Sequence, residues 1–189
     1  MSSQTEARRL CLYEAEELEA VLQDMACRAD PLLPKGRSAL VGVLRRGEPL
    51  ARLLQQKLVQ QLGREEIPLY PLKVKRYADD LSLLHPETLL TESKELGALD
   101  LADTTLLVVD DVLYEGHSLL RTCSYLAQLG ARSIRTAVLV DRCARRQPIH
   151  ADIVGIYLQV ACNDIVECNV PPYESDFRID VVRHGQRSG

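Results

Sequence analysis

Two adjacent carboxylates, Asp110 and Asp111, end the apolar run TLLVVD, and the chain continues VLYEGHS as far as Ser118. A short turn, a glycine and a helix start follow the acids. The first N–H groups of a helix have no intrahelical partner and carry the positive end of its dipole, so they favour a phosphate. Gly116 lets the backbone approach such an anion and tolerates positive φ. Ser118 can add a hydroxyl. Asp110 and Asp111 can accept hydrogen bonds from two vicinal sugar hydroxyls, or from waters around a magnesium ion. An acid pair beside an anion cradle suits a sugar phosphate better than free phosphate. On these local features alone, a solvated Asp-Asp turn with a glycine at a helix start explains the residues equally well.

A second place with chemistry is Leu44-Arg45-Arg46-Gly47. Two guanidiniums beside a glycine at a strand end suit a dense anion, although a solvated helix start uses the same residues. Glu115 and His117 complicate the first cradle. A desolvated carboxylate there repels a phosphate by on the order of several kcal/mol. It must turn outward, pair with His117 or an arginine, or mark a changed ligand. The charge of His117 near neutrality depends on its surroundings.

These residues need a scaffold, and the apolar pattern supplies one. Leu18, Val21, Leu22 and Met25 make a helical stripe over 13–27, ended by Pro31 and Pro34. Residues 38–44 form a buried strand and 48–62 a helix. Residues 67–77 are extended, with Pro68 and Pro71 placing them at an edge. Residues 78–103 are polar with no firm element, and a loop of that length is usually either disordered or a functional lid. Residues 105–110 are a buried strand. Residues 117–129 form a helix, with Leu119, Leu120, Cys123, Leu126 and Ala127 inward and Gly130 as its cap. Strands follow at 134–140 and 152–157. The tail, 163–183, holds short strands broken by Pro171 and Pro172. Apolar strands alternating with helices make an α/β fold, a parallel sheet flanked by helices. Ligands of such sheets collect at the carboxyl ends of strands, which selects Arg45–Gly47, Asp110–Ser118 and the residues from Asp141 onward.

VVDDVLYEGHS resembles the phosphoribosyl diphosphate motif of the type I phosphoribosyltransferases, in which two acids precede a Thr-Gly-X-Thr loop. LVGVLRRGEPLA, at 40–51, resembles the pyrophosphate loop of that family. LKVKRYADDLS, at 72–82, resembles its flexible catalytic loop. SIRTAVLVDR and PIHADIVG, within 133–155, resemble one branch, the bacterial pyrimidine operon attenuation regulators that are also uracil phosphoribosyltransferases. The resemblance implies one domain, with a core of about 36–158 and a small C-terminal hood of about 159–189 joined by the N-terminal segment. It implies that Asp110 and Asp111 hold the ribose hydroxyls and magnesium, and that Tyr114, Glu115, Gly116, His117 and Ser118 wrap the 5-phosphate. Leu44, Arg45, Arg46 and Gly47 would meet the pyrophosphate, with a non-proline cis peptide near Leu44-Arg45. Arg76 and Tyr77, on a lid over 73–92, would reach the diphosphate on closure, and Asp79 and Asp80 would orient the lid or bind metal. Asp141, Ile165 and Val166 are the base-site candidates, and uracil is favoured. Glu115 departs from the pattern, standing where the family has Thr.

Partners follow from the same resemblance: phosphoribosyl diphosphate, a nucleobase, a nucleoside monophosphate product, and further copies of the chain as a homodimer or larger oligomer. RNA is a weaker expectation. The first helix carries Glu14, Glu16, Glu17 and Glu19, and the formal net charge is -4, whereas RNA rewards a basic face. Arg142, Arg145 and Arg146 are the exception. A non-catalytic sensor of the same ligand is the other alternative, because of Glu115. Six cysteines without CxxC spacing argue against zinc. An N-terminus without an apolar stretch, and the lack of any apolar run long enough to span a bilayer, lead us to expect a cytoplasmic protein.

Overall fold

The computed structural model describes residues 8–73 and 95–183. Its centre is the stretch Leu106 to Val109, which is fully buried. Burying each such side chain stabilises the fold by roughly 1.5–3 kcal/mol. A fourfold run of this kind fixes its strand in the middle of a sheet.

In chain order the elements are β1 (Arg8–Tyr13), α1 (Ala15–Ala29), β2 (Ser38–Val43), α2 (Gly47–Leu62), β3 (Leu69–Leu72) and β4 (Thr105–Leu113). They continue with α3 (His117–Gln128), β5 (Ser133–Asp141), β6 (Ile153–Tyr157), β7 (Ile165–Asn169) and β8 (Arg178–Arg183). The described residues make a five-stranded sheet in the order β3-β2-β4-β5-β6 and a three-stranded sheet in the order β1-β8-β7. All pairings in the large sheet are parallel. Leu18, Leu22 and Met25 of α1 and Leu50, Leu54 and Leu58 of α2 pack with Leu40, Leu107 and Leu139 on one face. Leu119 and Leu126 of α3 pack with Val41, Val108 and Val138 on the other. The expected α/β sandwich is therefore present, and β3, with Pro71 opposite Gly42, lies at an edge as the prolines require.

Register explains why the site forms where it does. β2 pairs with β4 as far as Gly42 opposite Val109. On its other side β4 keeps pairing with β5 to Leu113 opposite Asp141. The expected strand end at 110 is thus reached only on the β2 side. Asp110 and Asp111 emerge there, beside the Leu44–Gly47 turn, while the same strand is still held by β5. In α3, Leu119, Thr122 and Leu126 are buried, but Ala127 is exposed rather than inward.

The second sheet is antiparallel, and its first strand comes from the N-terminus. The sequence pattern did not reveal β1, whose residues are exposed or half-buried throughout. Asp180 on the central strand ties it together. Its buried carboxylate meets Arg9 at 2.9 Å, Asn169 at 3.0 Å and Arg178 at 3.1 Å. Arg76, Tyr77, Asp79 and Asp80, and nearly all of the expected lid, lie outside the described residues.

Candidate active site

The two anion loops flank one cavity. It measures about 460 Å³ and is lined by Val43, Leu44, Asp110, Asp111, Val112, Tyr114, Ser118, Arg142, Ile165 and Val166. Residues from β2, β4, α3 and β7 thus converge although they are far apart in sequence. Gly47 is what allows the first loop to come so close. A Cβ there would stand 2.5 Å from the Val109 carbonyl oxygen and 3.1 Å from the Asp110 Cα. Any side chain would push the start of α2 away from the acid pair. The peptide Leu44-Arg45 is cis, as the resemblance implied.

The acids are not equivalent. The Asp111 N–H donates to Asp110 Oδ1 at 2.9 Å, which pins that carboxylate over the strand end. Burial pushes the Asp111 carboxyl up from its ordinary value. The Asp110 side chain, nearby backbone N–H groups and the charge of Arg46 offset part of this.

At the second loop, Gly116 has φ of +92° and immediately precedes α3. The first intrahelical bond runs from the Leu120 N–H to the Gly116 carbonyl at 3.0 Å. The N–H groups of His117, Ser118 and Leu119 come before it and so lack a partner within the helix, as an anion cradle requires. Glu115 is turned to its own partners. One carboxylate oxygen is 3.3 Å from Arg146 Nε and the other is 3.6 Å from His117 Nε2. The Glu115 carbonyl also accepts the N–H groups of Arg146 and Gln147, each at 3.0 Å. The loop between β5 and β6 is therefore strapped onto the turn that precedes α3.

This sheet order, acid pair and cavity can be set against known proteins. Residues 12–176 match the phosphoribosyl transferase domain model. The chain belongs to the phosphoribosyltransferase family. It is 40% identical over 130 residues to the bifunctional protein PyrR of Deinococcus radiodurans, covering 68% of this chain and 69% of that one. It is 31% identical over 144 residues to the bifunctional protein PyrR of Haemophilus ducreyi, covering 76% and 79%. A hypoxanthine phosphoribosyltransferase from Trypanosoma cruzi, solved with its product IMP, superposes with a TM-score of 0.71 at 18% identity, over 97% of each chain. That likeness establishes the type I phosphoribosyltransferase fold.

Within this family member, the residues singled out from sequence divide into three groups. Leu44, Asp110, Asp111, Tyr114, Ser118, Ile165 and Val166 surround the cavity. Arg45 and Arg46 stand beside it, but their guanidiniums rest on residues of the second sheet's connecting loop. Arg45 lies over the Tyr173 ring at 4.6 Å, and Arg46 meets Glu174 at 2.6 Å. Asp141 is a correction. It is fully buried, and its carboxylate accepts the Cys143 N–H at 2.7 Å and faces Arg145 at 3.1 Å. It holds the turn after β5 and does not line the cavity. Its neighbour Arg142 does, stacked over Tyr114 at 4.3 Å. Sequence reasoning had placed Arg142 in a basic run and, beside Asp141, in the stretch that carries the resemblance, but not among the base-site candidates. Tyr173 and Glu174 were missed altogether, and nothing local in VPPYES marks them.

Proposed function

We propose that the protein transfers ribose 5-phosphate from phosphoribosyl diphosphate to a nucleobase, with uracil as the preferred base. One observation carries this. A sugar-phosphate cradle, a dense-anion loop and an apolar wall from the second sheet enclose the same 460 Å³ cavity. Three separate ligand parts need three such walls.

The 5-phosphate takes the N–H groups at the start of α3, and Asp110 and Asp111 accept the ribose hydroxyls. Arg45 and Arg46 neutralise the diphosphate. The base lies against Ile165 and Val166, with Arg142 at its edge. A base nitrogen gives up its proton to solvent and attacks C1 of the ribose, the bond from C1 to the diphosphate oxygen breaks, and pyrophosphate leaves with that electron pair. Positive charge at the leaving group is the main contribution the protein makes. Magnesium fits this donor set. The described residues contain no cluster of three or more His, Cys, Asp or Glu able to cage a metal. Mg²⁺ commonly uses one or two carboxylates plus water and substrate oxygens. Asp110 and Asp111 would hold it in that way, and when bound it supplies further neutralisation of the diphosphate.

Messenger RNA is the weaker second ligand. Arg145 pairs with the buried Asp141 and Arg146 with Glu115. Two of the three cations of the basic run therefore already have acidic partners within the chain. Pyrophosphate release in the presence of Mg²⁺, measured with uracil, hypoxanthine, guanine and xanthine in turn, tests the main reading. Turnover with uracil is expected. Turnover with a purine alone would replace the base assignment, and turnover with none would defeat the transferase reading.

A further inference from the structure

The connection between β7 and β8 does more than join two strands. It crosses over the start of α2 and places Tyr173 and Glu174 on the two arginines of the diphosphate loop, 128 residues away in sequence for the Arg46–Glu174 pair. Glu174 Oε1 accepts from Arg46 Nε at 3.1 Å and from Arg46 Nη2 at 2.6 Å. Its other oxygen, Oε2, accepts the Val170 N–H at 3.0 Å. Both oxygens are thus anchored, one on the guanidinium and one on the backbone of the loop. Arg46 is 37% exposed and Glu174 24%, so the pair is shielded but still borders solvent.

We propose that Glu174, assisted by Tyr173, is a positioning residue that aims the diphosphate-loop arginines at the leaving group; this rests on the transferase reading above. The donor count supports positioning over blockade. A guanidinium has five N–H donors in a fixed plane. Glu174 Oε1 uses the Nε–H and one Nη2–H. The remaining Nη2–H and both Nη1–H groups form the end-on edge that grips a phosphate with two parallel bonds. Arg45 is treated differently to the same effect. Tyr173 takes the face of its guanidinium, and a face contact consumes none of the in-plane donors. Each arginine is therefore held by a group that leaves its anion-binding edge open. Without these holds, two long side chains would have to be ordered when the ligand arrives.

A plain structural latch between the two sheets would look the same but behave differently. The test is calorimetric titration of the full chain with inorganic pyrophosphate and, separately, with ribose 5-phosphate, in wild type and Glu174→Gln. The glutamine keeps the shape and loses the charge. Positioning predicts that pyrophosphate affinity falls about tenfold, the scale on which lost outer-contact orientation is usually felt. Ribose 5-phosphate affinity stays at the wild-type value, and KM for phosphoribosyl diphosphate rises more than kcat falls. Unchanged pyrophosphate affinity overturns the proposal. So does a parallel loss for both ligands with a lower Tm, which identifies a latch. Tighter pyrophosphate binding also overturns it, because Glu174 would then be a competitor. If Glu174→Gln does not fold, Tyr173→Phe and Tyr173→Ala replace it. The phenylalanine must keep pyrophosphate affinity and the alanine must lower it severalfold, or the proposal fails. Wild type that binds ribose 5-phosphate but no pyrophosphate refutes the inference by itself. Wild type that binds neither refutes the transferase reading beneath it.

Discussion

The two anion loops solve the same electrostatic problem with opposite assignments of charge. In the diphosphate loop the cations belong to the loop, and the balancing carboxylate, Glu174, comes from the second sheet. In the 5-phosphate loop the carboxylate, Glu115, belongs to the loop, and the balancing cation, Arg146, comes from the β5–β6 connection. The first loop therefore offers full positive charges to a ligand. The second offers backbone N–H groups and a helix end, after its one acid has been drawn aside. This suits the chemistry. In the proposed transfer the leaving diphosphate gathers negative charge, whereas the 5-phosphate is only gripped.

The contrast predicts where substitutions will hurt. On the proposed reading, Arg46→Ala removes a donor aimed at developing charge. It should lower kcat/KM about 10²- to 10³-fold, the usual loss for one such donor, with little change in Tm because Arg46 is more than a third exposed. A loss confined to a few-fold would place the diphosphate elsewhere.

Asp111→Asn should split activity from stability. Because burial raises the folded carboxyl above its unfolded value, the folded chain favours the protonated acid. Its stabilising contribution is complete below the unfolded value and is lost as pH rises through the folded one. Wherever the pH stands above that raised folded value, the ionised carboxylate is a cost that asparagine removes. Turnover should fall about tenfold or more, while the variant gains stability relative to wild type as pH rises. The gain should disappear in acid, below the ordinary carboxylate range. A variant whose stability relative to wild type does not rise with pH would contradict this. Glu174 has the opposite sign: Arg46 holds its carboxyl below the usual range, so its contribution is present at neutral pH and fades as pH falls through that lowered value.

Gly116→Ala strains the other loop. At φ of +92° a side chain is disfavoured, and the Cβ would stand 2.8 Å from Ile149 Cγ2 and 3.2 Å from Gln147 Cβ. A stability loss of about 1–3 kcal/mol is expected, together with weaker ribose 5-phosphate binding. Denaturant unfolding at unchanged m-value would record it. The smallest effect is reserved for Glu115→Thr. Its partner Arg146 is 75% exposed, and pairs of that kind contribute about 0–1 kcal/mol. With the acid already turned aside, threonine should tighten phosphoribosyl diphosphate binding by about threefold or less. A larger gain would mean that Glu115 swings into the cradle in solution.

The same contrast explains what the sequence could reveal. The 5-phosphate loop is contiguous, so the run from Val108 to Ser118 displays its strand, acids, glycine and helix start in order. β4 was legible as an unbroken apolar run, and α3 because burial of one face imposes a helical period on it. The diphosphate loop was half legible. Arg45, Arg46 and Gly47 announce an anion, but Tyr173 and Glu174, which hold the arginines, come from the far end of the chain beside a cis Pro171-Pro172 bond. Their partners are set by tertiary packing and leave no local period. β1 was missed for a related reason, since its strand is defined by pairing with β8 and its own side chains are largely exposed. Asp141 misled because an acid after a buried strand looks available, whereas Arg145 and the Cys143 N–H already occupy it. Family resemblance supplied the cis peptide and the likeness of the Leu44–Gly47 loop, which no periodicity could.

The central claim is that one cavity binds phosphoribosyl diphosphate through two separable loops. Calorimetric titration of wild type and the Arg45→Ala/Arg46→Ala variant with phosphoribosyl diphosphate and with ribose 5-phosphate, both with Mg²⁺, tests it most directly. The account predicts that the variant loses most of its affinity for phosphoribosyl diphosphate and keeps that for ribose 5-phosphate. Equal retention of both, or equal loss of both from a folded variant, would contradict it.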